Sequence, residues 1–393
     1  MTLARRLLHG LGSFGLACLL LLDLFLLTWF GTLYQVEHGL FEAQRLYFES
    51  WFVVQSTPVP LVLPGGLLCM GLLALNLFVG GMVRIQKSKR TVGVMVVHLG
   101  IALMLAAGFV KQYHSEDGHL DVQEGSTEDE FASYFLWEVA IWDASQKGPV
   151  EEHLIPHQQI IDLVGGAKRS FTSAALPFDV ELSNYLRNCR AMPKGPMWQA
   201  DSPVVDGYAL KRVDDQLEAE NNVAGLTARF RDRATGNARE EILSAWPFDQ
   251  YPATFESGGK LWAIALRHKR YTMPFAIRLE DFRKEDHPGM SMARSFESDV
   301  TKIEDGAERR VRIQMNEPLR HKGLVLFQSS WRPQDREIPR MTSVFSVVRN
   351  PSDHWPLYSC IVIGIGLLLA FLPKLWKFVR AQDSARAKLE TSV

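Results

Sequence analysis

The chain has 393 residues, a formal net charge of −1 and four cysteines, Cys18, Cys69, Cys189 and Cys360. The cysteines form neither a C-x-x-C nor a C-x-x-C-H motif, which excludes a thioredoxin-like redox centre and covalently attached haem. Mean hydropathy is near zero, but this average combines long apolar runs with charged segments. Part of the chain is therefore expected to lie in a lipid bilayer and part in water.

Four apolar runs are long enough to cross a bilayer as helices. They cover about Leu11–Tyr34, Leu61–Val83, Val92–Val110 and Trp355–Leu372, each close to the ~20 residues that a transmembrane helix needs. The first run is longer than the apolar part of a signal peptide and ends in aromatic residues typical of a membrane interface. We therefore predict an uncleaved first span and a four-span membrane protein.

The loop charges predict the orientation of these spans. Arg5 and Arg6 precede the first span, Arg84, Lys87 and Lys89 lie between the second and third, and further basic residues follow the fourth. The loop between the first two spans is mainly acidic. Because basic loops stay in the cytoplasm, we predict a membrane protein with both termini in the cytoplasm and the large domain on the outer side. The membrane domain covers 1–110, an extracytoplasmic domain 111–354, and the fourth span with a cytoplasmic tail 355–393.

The outer segment 111–354 predicts a large all-β domain. Its short runs alternate apolar and polar residues and are rich in Val, Ile, Phe and Trp. The run Leu136–Ile141 resembles Leu261–Leu266, and Leu176–Tyr185 resembles Met273–Phe282. We infer two β units, related by duplication or by common packing demands, that build a sandwich or an open barrel.

Charged patches within this domain, including Arg267–Arg270, are expected to be solvated strand faces. A nucleic-acid partner is not expected, because the domain is predicted to lie outside the membrane.

One ionisable residue, His98, lies inside the third apolar run. A charged side chain in hydrocarbon costs roughly 2.5 kcal/mol or more, and a neutral imidazole still needs a hydrogen-bond or metal partner. An intramembrane histidine therefore indicates a functional site, although a histidine bonded to a neighbouring helix fits the position equally well. His98 is seven residues from Thr91, hence about 10 Å from the cytoplasmic end of its helix.

Several motifs, in this order, resemble the ResB-like (CcsB-type) family of cytochrome c biogenesis proteins. The resemblance covers nearly the whole chain and rests on four spans, a soluble domain before the last of them, and five short segments. These segments are Gly31–Phe48, Pro64-Gly65-Gly66, His98-Leu99-Gly100, Met315–Gln328 and Val348-Arg349-Asn350-Pro351.

The resemblance implies a partner, a cofactor and a location in the bacterial inner membrane. Proteins of this family act with a CcsA-type (ResC) membrane protein, and the pair is proposed to carry haem b across the membrane and present it to apocytochrome c. In fused relatives a transmembrane histidine of the ResB-like part is proposed as an axial ligand of the haem iron, and His98 matches it in context. The chain is expected to be a non-catalytic subunit, with covalent haem attachment in the partner complex.

The surroundings of His98 are compatible with such a ligand. Haem iron accepts a neutral imidazole, which is the form that hydrocarbon favours. Gly100 and Gly108 leave room for a helix or a flat macrocycle. Asn76 is seven residues from Val83, so it is level with His98 and could bond the other ring nitrogen and fix the tautomer. A simple bond between helices would explain Asn76 as well.

Other polar residues are weaker candidates. Asp23 lies mid-membrane and is expected to be a polar partner for a facing helix or a protonated structural residue rather than a haem ligand. His38, His114, His119 and His354 lie near predicted span ends and could surround an outer haem site, but histidines are common at such surfaces.

Two other functions are open at this point. A cytochrome b-like electron carrier needs two facing histidines for each haem, whereas the apolar runs contain one. A membrane-anchored scaffold or receptor, whose β domain binds a client protein without haem, needs only the anchor and the domain.

Overall fold

The computed structural model describes residues 3–55, 61–89, 91–146, 148, 150–196, 198, 202–245, 252–290, 293–333 and 340–390. It divides into two compact units: unit 1 is Met1–Ser115 with Asn350–Val393, and unit 2 is Glu116–Arg349. Within the described ranges, four helices of unit 1 are long and apolar enough to cross a membrane. The prediction of four long apolar helices and a large β-rich region is confirmed.

The described residues of unit 1 are mainly helical, with one β-hairpin. Its helices are α1 (Leu3–Leu11), α2 (Phe14–Ala43), α3 (Gly66–Phe78), α4 (Val92–His114) and α5 (Trp355–Glu390), and the π-helical segments Gln44–Phe48 and Val79–Val83 continue α2 and α3. α2 begins later than the predicted first run, because Ser13 caps it by accepting a hydrogen bond from the Leu16 amide.

The second span starts five residues later than predicted, because a β-hairpin precedes it. Strands β1 (Phe52–Gln55) and β2 (Leu61–Pro64) pair antiparallel, and Gly65 then caps α3. Glycine is needed here, since a Cβ atom on Gly65 would lie 2.2 Å from the Ser50 carbonyl oxygen. The apolar character of Leu61–Pro64 misled the sequence pattern, which does not separate a short apolar strand from the start of a helix.

The spans pack through small residues. α3 packs against both α2 and α4, and α4 packs along α5. A Cβ atom on Gly93 would lie 2.5 Å from the Ala370 nitrogen, and one on Gly366 would lie 2.6 Å from the Val97 nitrogen. Glycines on both helices therefore allow the α4 and α5 backbones to touch, as is common between membrane helices.

The described residues of unit 2 form mainly β-strands, with two short 3-10 helices at His157–Gln159 and Ala219–Asn221. The strands are β3 (Glu116–Gln123), β4 (Thr127–Asp143), β5 (Glu152–Pro156), β6 (Lys168–Phe171), β7 (Phe178–Leu186), β8 (Cys189–Pro193), β9 (Tyr208–Arg212), β10 (Gly225–Asp232), β11 (Ala238–Ser244), β12 (Ala253–Ser257), β13 (Lys260–Asp286), β14 (Ala293–Glu304), β15 (Ala307–Gln314), β16 (Leu319–His321), β17 (Leu324–Arg332) and β18 (Thr342–Arg349). A ten-stranded sheet has the order β15-β14-β13-β4-β3-β18-β17-β16, with β12 beside β13 and β5 beside β4. A four-stranded sheet has the order β11-β10-β7-β6, and β8 pairs with β9.

Two long strands, β4 and β13, run through both hydrophobic cores of unit 2. Val139 and Ile264, on one half of these strands, belong to the core that includes the four-stranded sheet. Phe131 and Ile277, on the other half, belong to a core formed within the ten-stranded sheet. β15 also contacts β17, which is far from it in the strand order, so this part of the sheet curls. The first core is therefore sandwich-like, and the second resembles an open barrel.

The pairs of similar sequence segments do not lie at equivalent positions in these sheets. Leu136–Ile141 and Leu261–Leu266 are neighbours in one sheet, with Val139 opposite Leu266. By contrast, Leu176–Tyr185 leads into β7 of the small sheet, whereas Met273–Phe282 lies within β13. This placement fits common packing demands on alternating strands.

One charged cluster is buried in unit 2. Arg267 Nε donates to Glu138 Oε1 at 3.1 Å, and a second guanidinium nitrogen donates to Glu152 Oε1 at 2.8 Å. The side chains of Arg267 and Glu138 are 6% and 4% exposed. The expectation of a solvated Arg267–Arg270 face is therefore wrong for Arg267, because neighbouring strands supply carboxylates that allow its burial.

Candidate functional site

His98 lies on the face of α4 that meets the π-helical segment Val79–Val83. A Cβ atom on Gly81 would lie 2.1 Å from His98 Cδ2, so the imidazole occupies space that only glycine leaves open. Gly81 is itself buried, and His98 is partly buried. Short π-helical insertions of this kind occur frequently at functional sites.

The hydrogen bonding of His98 fixes the tautomer of its ring. Nδ1 lies 2.7 Å from the Val94 carbonyl oxygen, one turn earlier in α4. A carbonyl oxygen can only accept, so Nδ1 carries the proton. In the neutral ring Nε2 then holds a lone pair, and within the described part of the chain no residue bonds to it. Metal-binding histidines also have one ring nitrogen bonded to a carbonyl oxygen, so this geometry is compatible with a ligand role for Nε2.

Asn76 has partners other than the His98 ring. Its Nδ2 donates to the Leu11 and Ser13 carbonyl oxygens, at 2.6 and 2.9 Å. The amide therefore binds the connection between α1 and α2, while the Val94 carbonyl orients His98. The structure supports the bond between helices that the sequence left open as the simpler explanation of Asn76.

Gly100 and Gly108, which were expected to leave room near His98, differ in how closely other atoms approach them. A Cβ atom on Gly100 would lie 2.6 Å from Ile363 Cγ1, so α5 fills that side. Nothing lies within 4 Å of the corresponding position on Gly108. Of the two, Gly108 alone leaves open space on its helix.

Asp23 faces α3 rather than His98. Its side chain is 6% exposed and lies beside Cys69, whose thiol donates to the Leu20 carbonyl oxygen at 3.2 Å. One carboxyl oxygen, Oδ2, is buried without a hydrogen-bond partner in the structure as described. The predicted polar partner on a facing helix is thus the Cys69 thiol.

The four histidines predicted near span ends fall into two groups. His38, His114 and His354 are exposed residues of unit 1. His38 stacks on Tyr34 with ring centroids 3.9 Å apart, and His354 contacts Asp353. His119 differs from these three because it lies in β3 of unit 2, partly buried.

His119 belongs to an aromatic cluster that the sequence did not predict. Its ring centroid is 5.4 Å from that of Tyr134 and 6.0 Å from that of His268. His268 stacks on Trp137 at 3.8 Å, and its Nδ1 is buried without a hydrogen-bond partner among the described residues. Strand pairing brings these side chains together across positions far apart in the sequence, and no local motif marks that proximity.

This cluster makes the stability of unit 2 sensitive to acid. Burial, and then the charge of His119, lower the pKa of His268 to about 4, and burial also lowers the pKa of His119. The folded state therefore prefers neutral rings. The contribution to stability is complete above the ordinary histidine pKa of ~6.5 and is lost as the pH falls from there towards 4.

We expect the free energy of unfolding to fall between pH 7.5 and pH 4.5, with a contribution from His268 on the order of 3 kcal/mol. Urea titrations at both pH values, followed by tryptophan fluorescence, measure this loss. His268→Gln should reduce the pH dependence more than His287→Gln does, because His287 is only partly buried and does not belong to the aromatic cluster. An identical pH dependence in His268→Gln and the unaltered chain would show that His268 is not responsible.

Within the ranges that the structure describes, no cluster of three or more His, Cys, Asp or Glu side chains could hold an ion. His98 could bind a cofactor that brings most of its own metal ligands, as haem does.

A sequence model described as the ResB-like family matches residues 254–339 of this chain. The match begins in β12 and covers most of the strands after it, including the Met315–Gln328 motif. It confirms the predicted resemblance to the ResB-like family over this segment, and that family is associated with cytochrome c biogenesis. The matched segment does not include His98. No curated protein matches the chain.

Proposed function

We propose that this chain is a cytochrome c biogenesis factor that handles haem together with a CcsA-type membrane partner. In this proposal His98 Nε2 supplies one axial ligand to haem b in the cytoplasmic half of the membrane, and the partner supplies the other. The complex then presents haem to apocytochrome c on the periplasmic side, where unit 2 would lie, and the termini are cytoplasmic.

The observation that carries this proposal is the state of the His98 ring. Val94 O accepts the Nδ1 proton at 2.7 Å, so the ligand-competent nitrogen is Nε2. Gly81 keeps space beside the ring that any side chain would fill. Bound haem would supply iron as a Lewis acid for that lone pair. The Val94 carbonyl holds the ring in one orientation, which a metal ligand requires.

One observation favours a second candidate function, a scaffold that binds a client protein without haem. The family match lies wholly within unit 2 and leaves the membrane helices unmatched. A β domain that receives apocytochrome c on a membrane anchor would agree with that match without any role for His98.

Reconstitution of cytochrome maturation tests the proposal and separates the two functions. The chain is expressed with a CcsA-type partner and a reporter apocytochrome c in cells that lack their own maturation proteins. We expect covalent haem in the reporter only when both membrane proteins are present, and haem in the purified pair. Maturation by a pair that never contains haem would favour the scaffold. Maturation without this chain would overturn both.

The space beside His98 gives a prediction for Gly81. Gly81→Ala should weaken haem binding by the purified pair at least tenfold, because its methyl group would overlap the imidazole ring. The matched control is Gly71→Ala in α3, where nothing lies within 4 Å of the new carbon. Haem titration followed at the Soret band measures both. Equal affinities for the two variants would contradict the assignment of Gly81.

A further inference from the structure

The β1–β2 hairpin of unit 1 has one buried face and one exposed face. Val53 and Leu63 are 0% and 8% exposed and pack in a cluster with Leu27 and Tyr47. The opposite face carries Phe52, Val54 and Val62, and the adjacent Trp51 is also exposed; all four lie between 63% and 68% exposed. The exposed face is therefore entirely apolar at the positions that the structure describes.

The buried face places the hairpin at a definite depth along the first span. Leu27 lies 13 residues after Phe14, the first residue of α2. At the rise of an α-helix this is about 20 Å, against a hydrocarbon thickness of about 30 Å. The hairpin thus lies beside the last third of the span, together with Tyr47 and Phe48, which approach Gly31.

Two physical demands restrict what covers the exposed face. Apolar side chains gain free energy on leaving water, so the face does not suit an aqueous loop. The described strands form a two-stranded sheet, so each keeps one open edge, and open edges do not occur in the hydrocarbon centre. The boundary between acyl chains and headgroups meets both demands, because headgroup water can solvate the edges. Tryptophan is also enriched at this depth.

We propose that the β1–β2 hairpin is an interfacial lipid anchor. Phe52, Val54 and Val62 insert among the acyl chains of the leaflet at the C-terminal end of α2. The hairpin joins α2 to α3, so it continues the lipid-facing surface of the two spans. This role is independent of haem.

Photo-crosslinking in intact membranes tests the anchor. A benzophenone amino acid replaces Val54 in the full-length chain, and mass spectrometry identifies the adducts formed on illumination. Leu22, which is 58% exposed on α2, gives the lipid-facing control. Ala234, in the exposed turn between β10 and β11, gives the aqueous control. We expect phospholipid adducts at Val54 at no less than half the Leu22 yield and at least tenfold above the Ala234 yield.

Two outcomes would overturn the proposal. Adducts at Val54 mainly with another polypeptide would make the hairpin a protein-binding surface. A phospholipid yield no higher than at Ala234 would place the face in water. If the Val54 variant does not accumulate in the membrane, the same probe at Val62 applies the same criteria, because Val62 pairs with Val54 on the same face.

Discussion

Replacing His98 with alanine should remove at least nine-tenths of the haem from the purified complex with its partner. Alanine offers no lone pair to iron, so the complex loses the ligand that the Val94-oriented ring would supply. Haem content per complex, measured from the Soret absorbance in detergent, gives the result. The reporter cytochrome should lose maturation in parallel, since both measurements depend on the same ligand.

The control for this variant is the neighbouring residue. Leu99→Ala removes a half-exposed apolar side chain from the same turn of α4 and should leave the haem content within twofold. Added imidazole should restore haem to His98→Ala, because a free ligand can enter the vacated space, and should not affect Leu99→Ala. Full haem content in His98→Ala without imidazole would exclude His98 as the axial ligand.

Replacing Arg267 with alanine should destabilise unit 2 by about 3–5 kcal/mol, which is typical when one partner of a buried ion pair is removed. The change leaves Glu138 buried without its cation, since Arg267 Nε is its hydrogen-bond donor and both side chains are nearly inaccessible. Glu152, which is 31% exposed, can recover some hydration. Urea unfolding of the full-length chain, followed by tryptophan fluorescence, measures the loss.

A second arginine on the same strand gives the control. Arg278 pairs with Glu280 and Glu308, but its side chain is 30% exposed. Arg278→Ala should therefore cost about 1 kcal/mol or less. Arg267→Met combined with Glu138→Leu should recover much of the loss, because it leaves no buried charge. Equal effects of Arg267→Ala and Arg278→Ala would show that burial does not govern the cost.

The sequence predicts the helices of unit 1 better than their ends. Length and apolarity identify four spans, because hydrocarbon demands about 20 apolar residues whatever the tertiary structure. The start of the second span was wrongly predicted at Leu61. That segment is a strand that pairs with β1, which begins nine residues earlier. α5 continues to Glu390 beyond the predicted Leu372, since a charged helix is as regular as an apolar one and hydropathy does not mark its end.

The candidate site was predicted in part. Its position in the chain, His98, follows from the cost of an ionisable group in hydrocarbon. Its details depend on a neighbouring helix: Gly81 opposes the ring, and Asn76, although level with it in sequence, turns to Leu11 and Ser13. Axial level can be counted from residue numbers, but the rotation of each helix about its axis is set by packing. The His119–His268 contact likewise depends on strand pairing.

The pairing of β3 with β18 has a consequence for biosynthesis. Glu116 and Arg349 lie side by side at the ends of these strands and form an ion pair across 233 positions of sequence. During translation the first strand of unit 2 is made long before its partner, so the large sheet cannot close until the last strand has emerged. Contacts of such long range slow folding and leave strand edges exposed in the meantime. A nascent chain stalled before Thr342 should therefore be far more sensitive to protease than one released at full length.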